Sequence, residues 1–223
     1  RIRVADPVYN AQVICEQAKE AAEHGAKIVV FPELCITGYT CNDLFLQELL
    51  LEKAKEALLT IAEETGQLET LFLVGLPVDK DGRLYNVAAV LYRGRILGMI
   101  PKKNIPMYAE FYEGRHFTPG EETVTEYRLG KQVIPFGSNL LFRCEELPEL
   151  ILGCELCEDL WVAEPPSTSH ALMGATVIAN LSASNETVSK DDYRTLLIKA
   201  SSARLLCGYI YTSAGEGEST QDL

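Results

Sequence analysis

The chain has 223 residues, 47% hydrophobic and 23% charged, the proportions of one globular domain with a substantial buried core. A net charge of −12 argues against nucleic acid or an anionic membrane as the main partner, because both are repelled at long range. No apolar run approaches the roughly 18 residues that span a bilayer, and Arg1-Ile2-Arg3-Val4-Ala5-Asp6 does not form a signal peptide, so a soluble, cytoplasmic chain is expected.

Strand-like and helix-like segments alternate along the chain. After Asn10, a candidate N-cap, Ile14, Ala18, Ala21 and Ala22 recur at helical spacing, and His24-Gly25 marks a stop. A buried strand is predicted from Lys27 to Phe31, one or two helices from Leu44 to Thr65, and a strand from Leu71 to Leu76. Asp79-Lys80-Asp81-Gly82 is a turn, and Arg93-Gly94-Arg95 joins a tight hairpin between Val87 to Tyr92 and Ile96 to Ile100. From Lys102 to about Gly130 the pattern predicts a long ordered loop. Strands then follow at Leu140 to Arg143, Leu150 to Leu156, Thr176 to Leu181 and Tyr209 to Thr212. Helices are predicted near Ser169 to Gly174 and from Asp191 to Leu206. Hairpins mixed with crossovers indicate an α/β sandwich with a mixed sheet.

Seven cysteines, an odd number scattered through apolar segments, read as free thiols. Cys154 and Cys157 form a C-x-x-C, open to a zinc or redox reading, but there is no second pair and no nearby histidine pair. On a strand the two would face opposite sides.

Polar residues gather where apolar runs end: Glu33, Cys157 with Glu158, Ser182 with Ser184, and Ser213 to Glu216. If those strands are parallel neighbours, all four clusters open on one sheet edge. Lys102, following Pro101, can add a cation there. Glutamate accepts a thiol proton, lysine holds an oxyanion, and thiolate attacks an acyl carbon, which makes Glu33, Lys102 and Cys157 a candidate acyl-transfer set. Each also has an ordinary use, as a solvated strand end, a surface cation or a packed thiol. Of the three histidines, His116 in the long loop is the alternative base, and His24 reads as a helix end. Gly215-Glu216-Gly217-Glu218-Ser219 is a poor phosphate loop, because its glutamates repel phosphate.

Phe31-Pro32-Glu33-Leu34 with Thr37-Gly38-Tyr39, Lys102 with Ile105-Pro106 and Tyr108, and Cys157-Glu158-Asp159 resemble, in that order, the Glu-Lys-Cys amidohydrolases of the nitrilase superfamily. Further blocks make the chain most similar to the glutaminase domains of bacterial glutamine-dependent NAD synthetases. They include Asn42-Asp43-Leu44-Phe45, Phe111-Tyr112-Glu113-Gly114-Arg115, Pro165-Pro166-Ser167, Ala179 to Ser184 and Ala214 to Thr220.

The resemblance implies a four-layer α-β-β-α sandwich, incomplete at both ends, with residues 1–223 as a truncated glutamine amidohydrolase domain and the synthetase domain absent. It implies Glu33 as base, Lys102 (rather than Lys103) as oxyanion cation, Cys157 as nucleophile and Glu113 as support. Substrate contacts would be Tyr108, Glu158, Trp161, Ser184 and Lys190. The implied substrate is L-glutamine, whose ammonia would serve amidation of deamido-NAD. No cofactor is implied for the glutaminase step; ATP and magnesium belong to the synthetase domain, the implied partner, and the assembly would be a homo-oligomer. Alternatives are a free-standing nitrilase-like amidase or carbamoylase, with the same three residues and a different pocket, or a non-catalytic assembly module.

Overall fold

In the computed structural model, which describes residues 1–218, two β-sheets lie face to face between two pairs of helices. Helix α1 (Pro7–Glu23) begins where Asp6 accepts a 3.1 Å hydrogen bond from the Tyr9 N–H, with Pro7 in the first turn where its missing N–H costs nothing. The helix thus starts three residues before the expected cap, Asn10. That side chain is buried and does different work: it accepts from the Arg3 N–H at 2.7 Å and donates to the carbonyls of Arg3 and Ile36 at 2.8 and 3.0 Å.

The first sheet is built by β1 (Ile28–Val30), β2 (Leu71–Lys80), β3 (Arg83–Tyr92), β4 (Arg95–Pro101), β5 (Thr125–Leu129) and β6 (Gln132–Phe136), in the order β1-β2-β3-β4-β6-β5. Its β3–β4 hairpin turns through Arg93 and Gly94, both at positive φ, as its short turn requires. Between β1 and β2 run a 3₁₀ turn, Asn42–Leu46, and helix α2 (Glu48–Glu64). The β5–β6 hairpin occupies the end of what the sequence pattern leaves as loop; Tyr127, Leu129, Ile134 and Phe136 are its buried side.

The second sheet orders β7 (Leu141–Arg143), β8 (Ile151–Leu156), β9 (Val177–Ser182) and β10 (Gly208–Ser213) as β10-β9-β8-β7, with β8, β9 and β10 parallel. Helices α3 (Pro166–Leu172) and α4 (Lys190–Leu205) supply the crossovers. The four-layer α-β-β-α sandwich is as expected, but the polar strand ends do not share one sheet edge. β1 belongs to one and β8, β9 and β10 to the other, so the polar strand ends converge across the gap between sheets.

Three buried clusters define four layers. Ala11, Ile14 and Ala18 of α1, with Ala54, Leu58 and Ile61 of α2, pack on Phe72, Val74 and Leu76 of β2. Leu73, Ala88, Val90 and Ile100 meet Leu152, Cys154, Leu156, Ala179 and Leu181 between the sheets. Ala175, Ile178 and Cys207 pack with Ala171 and Leu205 on the outer face of the second sheet. Buried on both faces, the central strands read as nearly continuous apolar runs.

Candidate active site

Glu33 sits just past β1 in a tight turn strapped to β2. The Phe31 N–H donates to the Leu73 carbonyl at 2.9 Å and the Ile36 N–H to the Gly75 carbonyl at 3.1 Å, while Leu34 takes a φ of 51°. The approach is so close that a Cβ at Gly75 would lie 2.3 Å from the Leu34 nitrogen and 2.7 Å from the Pro32 carbonyl oxygen. Only glycine lets the turn lie there. On its far side the Glu33 N–H donates to the Ser182 carbonyl at 3.3 Å, linking the two sheets at the site.

Lys102 follows the last residue of β4, where its N–H donates to the Asn86 carbonyl at 2.8 Å. Its ammonium is 0% exposed and donates to Glu33 Oε1 at 2.7 Å and Glu113 Oε1 at 2.5 Å. Asn86 Nδ2 donates to Glu33 Oε1 at 2.7 Å and Glu113 Oε2 at 3.3 Å, and the Tyr39 hydroxyl to Glu113 Oε1 at 2.8 Å. Lys103, the rival, faces outward and pairs with Glu122.

Cys157 follows the last residue of β8 at a φ of 40°, a conformation that L residues rarely adopt, and opens a 3₁₀ turn, Cys157–Leu160. It lies beyond the strand, so the expected alternation of Cys154 and Cys157 does not apply to it. Cys154 is packed between the sheets.

Electrostatics assign the charges. Burial, reinforced by Glu113 and opposed by Lys102, lifts the Glu33 carboxyl to about 7. Burial works against the Lys102 ammonium, but Glu113 and Glu33 outweigh it and hold its pKa well above the ordinary lysine value. Burial, with Glu33 adding and Lys102 opposing, pushes the Cys157 thiol up. The resting sulfur is therefore protonated, and its proton must leave as it attacks. Glu33 Oε2 is buried with no hydrogen-bond partner, a free acceptor on a carboxyl held near neutrality.

A cavity of about 220 Å³ opens beside the thiol, lined by Cys157, Tyr108, Phe111, Glu158, Trp161, Ser184, Asn185 and Lys190, among others. All five expected contact residues line it. Tyr108 donates to Glu158 Oε2 at 2.8 Å. Lys190 is held by Asn185 Oδ1 with its ammonium 5.6 and 5.2 Å from the Phe111 and Trp161 ring centres. His116 is bound to Asp43 at 3.0 Å and packs edge-on against Phe45 and Phe117 on a separate small cavity, so it does not line the thiol's cavity.

Asn86 and Tyr39, which hydrogen-bond Glu33 and Glu113, carried no role in the sequence reading, and neither did Phe111 and Asn185 of the cavity wall. Asn86 is the one amide in the apolar run of β3, and that oddity was its signal; Tyr39 stood in a resembling block without an assignment. The Ser219 and Thr220 of the last such block lie outside the described residues.

The carbon-nitrogen hydrolase family model matches residues 1–214. The chain belongs to the carbon-nitrogen hydrolase family. Within this family it is 43% identical over 220 residues to the glutamine-dependent NAD(+) synthetase of Mycobacterium tuberculosis, covering 99% of this chain and 32% of that protein. A solved glutamine-dependent NAD(+) synthetase from Cytophaga hutchinsonii superposes with a TM-score of 0.85 at 30% identity over 96% of this chain and 34% of that one. An amidase from Nesterenkonia sp. AN1 shares the fold, with a TM-score of 0.71 at 20% identity, covering 97% of this chain and 77% of that one. This carbon-nitrogen hydrolase chain thus spans about a third of the length of the curated relatives it matches.

Proposed function

We propose that this chain hydrolyses the side-chain amide of L-glutamine through a thioester on Cys157. One observation carries the reading: a buried thiol whose neighbouring carboxylate, Glu33, is held by Lys102 through one oxygen and keeps the other unpartnered. Glu33 Oε2 takes the Sγ proton as sulfur bonds to the amide carbon and the carbonyl electron pair moves to oxygen. Lys102 Nζ and the Glu158 backbone N–H stabilise that oxyanion. The C–N bond breaks as nitrogen takes the proton from Glu33, and ammonia leaves. Glu33 then deprotonates a water that attacks the thioester; the C–S bond breaks, the thiol regains its proton, and glutamate departs. Glu113 keeps Lys102 aimed throughout.

The cavity supports an amino-acid amide. Glu158 suits the substrate's ammonium and Lys190 its carboxylate, with Tyr108, Trp161 and Ser184 as walls. A single ammonium in place of an arginine fork gives a point contact. The same pairing speaks against the free-standing amidase or carbamoylase, whose substrate has no need of both charges. It also speaks against an idle assembly module.

The relatives are synthetases about three times as long, so the ammonia would serve a synthetase domain that amidates deamido-NAD in a homo-oligomeric enzyme. ATP and magnesium would act in that domain alone. In the full-length protein, Cys157→Ala is expected to abolish glutamine hydrolysis while synthesis from free ammonia survives. Loss of both activities would make Cys157 structural and end the reading.

A further inference from the structure

Asp159 is a buried carboxylate, 1% exposed, with no part in the steps above. Its Oδ2 accepts the Leu156 N–H at 3.0 Å, one residue before the nucleophile. Its Oδ1 accepts both the Asn104 N–H and the Asn104 side-chain amide at 2.8 Å, and the Lys103 N–H approaches Oδ2 at 3.5 Å. One carboxylate thus grips the turn that carries Cys157 and the segment that leaves Lys102, which are separated by 55 residues of chain.

We propose that Asp159 is a positioning residue, a strut that fixes the Cys157 sulfur relative to the Lys102 ammonium; this rests on the roles given to those two residues above. A turn needs only the Leu156 contact to close. The bonds to Asn104 serve no local purpose and join the two halves of the site across the gap between sheets. Cys157 also holds a left-handed φ of 40°, which persists only where its surroundings over-determine it, and Asp159 anchors the residue before it. The Lys102 charge is what opposes the rise of the thiol's pKa, so a slackened strut weakens that opposition.

Asp159→Asn in the full-length protein tests this. An amide of the same shape replaces one acceptor by a donor, so one of the two segments loses its partner whichever way the amide lies. The expected result is a fall in kcat for glutamine hydrolysis of about tenfold or more with KM nearly unchanged. The pH midpoint of Cys157 alkylation by iodoacetamide should rise, and Asn104→Ala should produce a smaller rise that does not add to that of Asp159→Asn. A variant that melts earlier but keeps the wild-type kcat and alkylation midpoint overturns the strut. If Asp159→Asn does not fold, Asn104→Asp decides alone, because it sets a second carboxylate against Asp159 Oδ1, and an unshifted midpoint with unchanged kcat overturns the strut. A wild-type protein that does not hydrolyse glutamine would sink the functional reading, while the alkylation midpoint still judges the strut.

Discussion

Glu33 is where the site's chemistry is poised. Burial raises its carboxyl to about 7, with Lys102 opposing and Glu113 reinforcing, so near neutral pH it can both take and return a proton. As a base it must be ionised. The kcat/KM for glutamine is therefore expected to rise between about pH 6 and pH 8 with a midpoint near 7, and Glu33→Gln to remove the activity. A flat profile over that range would assign the proton transfer elsewhere. Much of the site at this scale was legible in the sequence, because Glu33, Lys102 and Cys157 stand at the ends of apolar runs. Asn86 and Asp159 were not. An amide in a buried strand is a local oddity, but it and an acid behind a cysteine gain their roles only from partners 27 and 55 residues away.

Among the elements, the pairing of the Glu33 turn with β2 makes the sharpest demand on sequence. A methyl group at Gly75 would collide with backbone, which has no rotamer in which to yield. Gly75→Ala is expected to cost about 1–3 kcal/mol in a denaturant titration and to remove most glutamine hydrolysis by shifting Glu33. An alanine variant with full activity would refute the close approach. The bounds of α4 and the turn between β3 and β4 were read to within a residue, whereas β2 and β3 each extend four residues further toward their shared turn than expected. The start of α1 was misplaced because Asp6 and Asn10 both suit an N-cap, and only the fold sends Asn10 into the core. The β5–β6 hairpin was hidden because Pro135 interrupts its second strand and the strands follow a long aromatic loop.

Across the whole molecule, chain order does not reveal which strands share a sheet. β1 and β8 to β10 all lead into polar residues, yet β1 pairs with β2 in one sheet and the others lie in the second. The site arises because these two sheets stack: one contributes Glu33 and Lys102, and the other contributes Cys157. The ordered family blocks carried that information, since they preserve a four-layer arrangement that composition and periodicity leave open. The central claim is that, of seven buried or half-buried thiols, one is chemically singled out by this stacking. Treating the full-length protein with a glutamine-mimicking electrophile and mapping the adducts by mass spectrometry tests it most directly. The account predicts modification at Cys157 alone, and labelling at Cys154, or none at all, would contradict it.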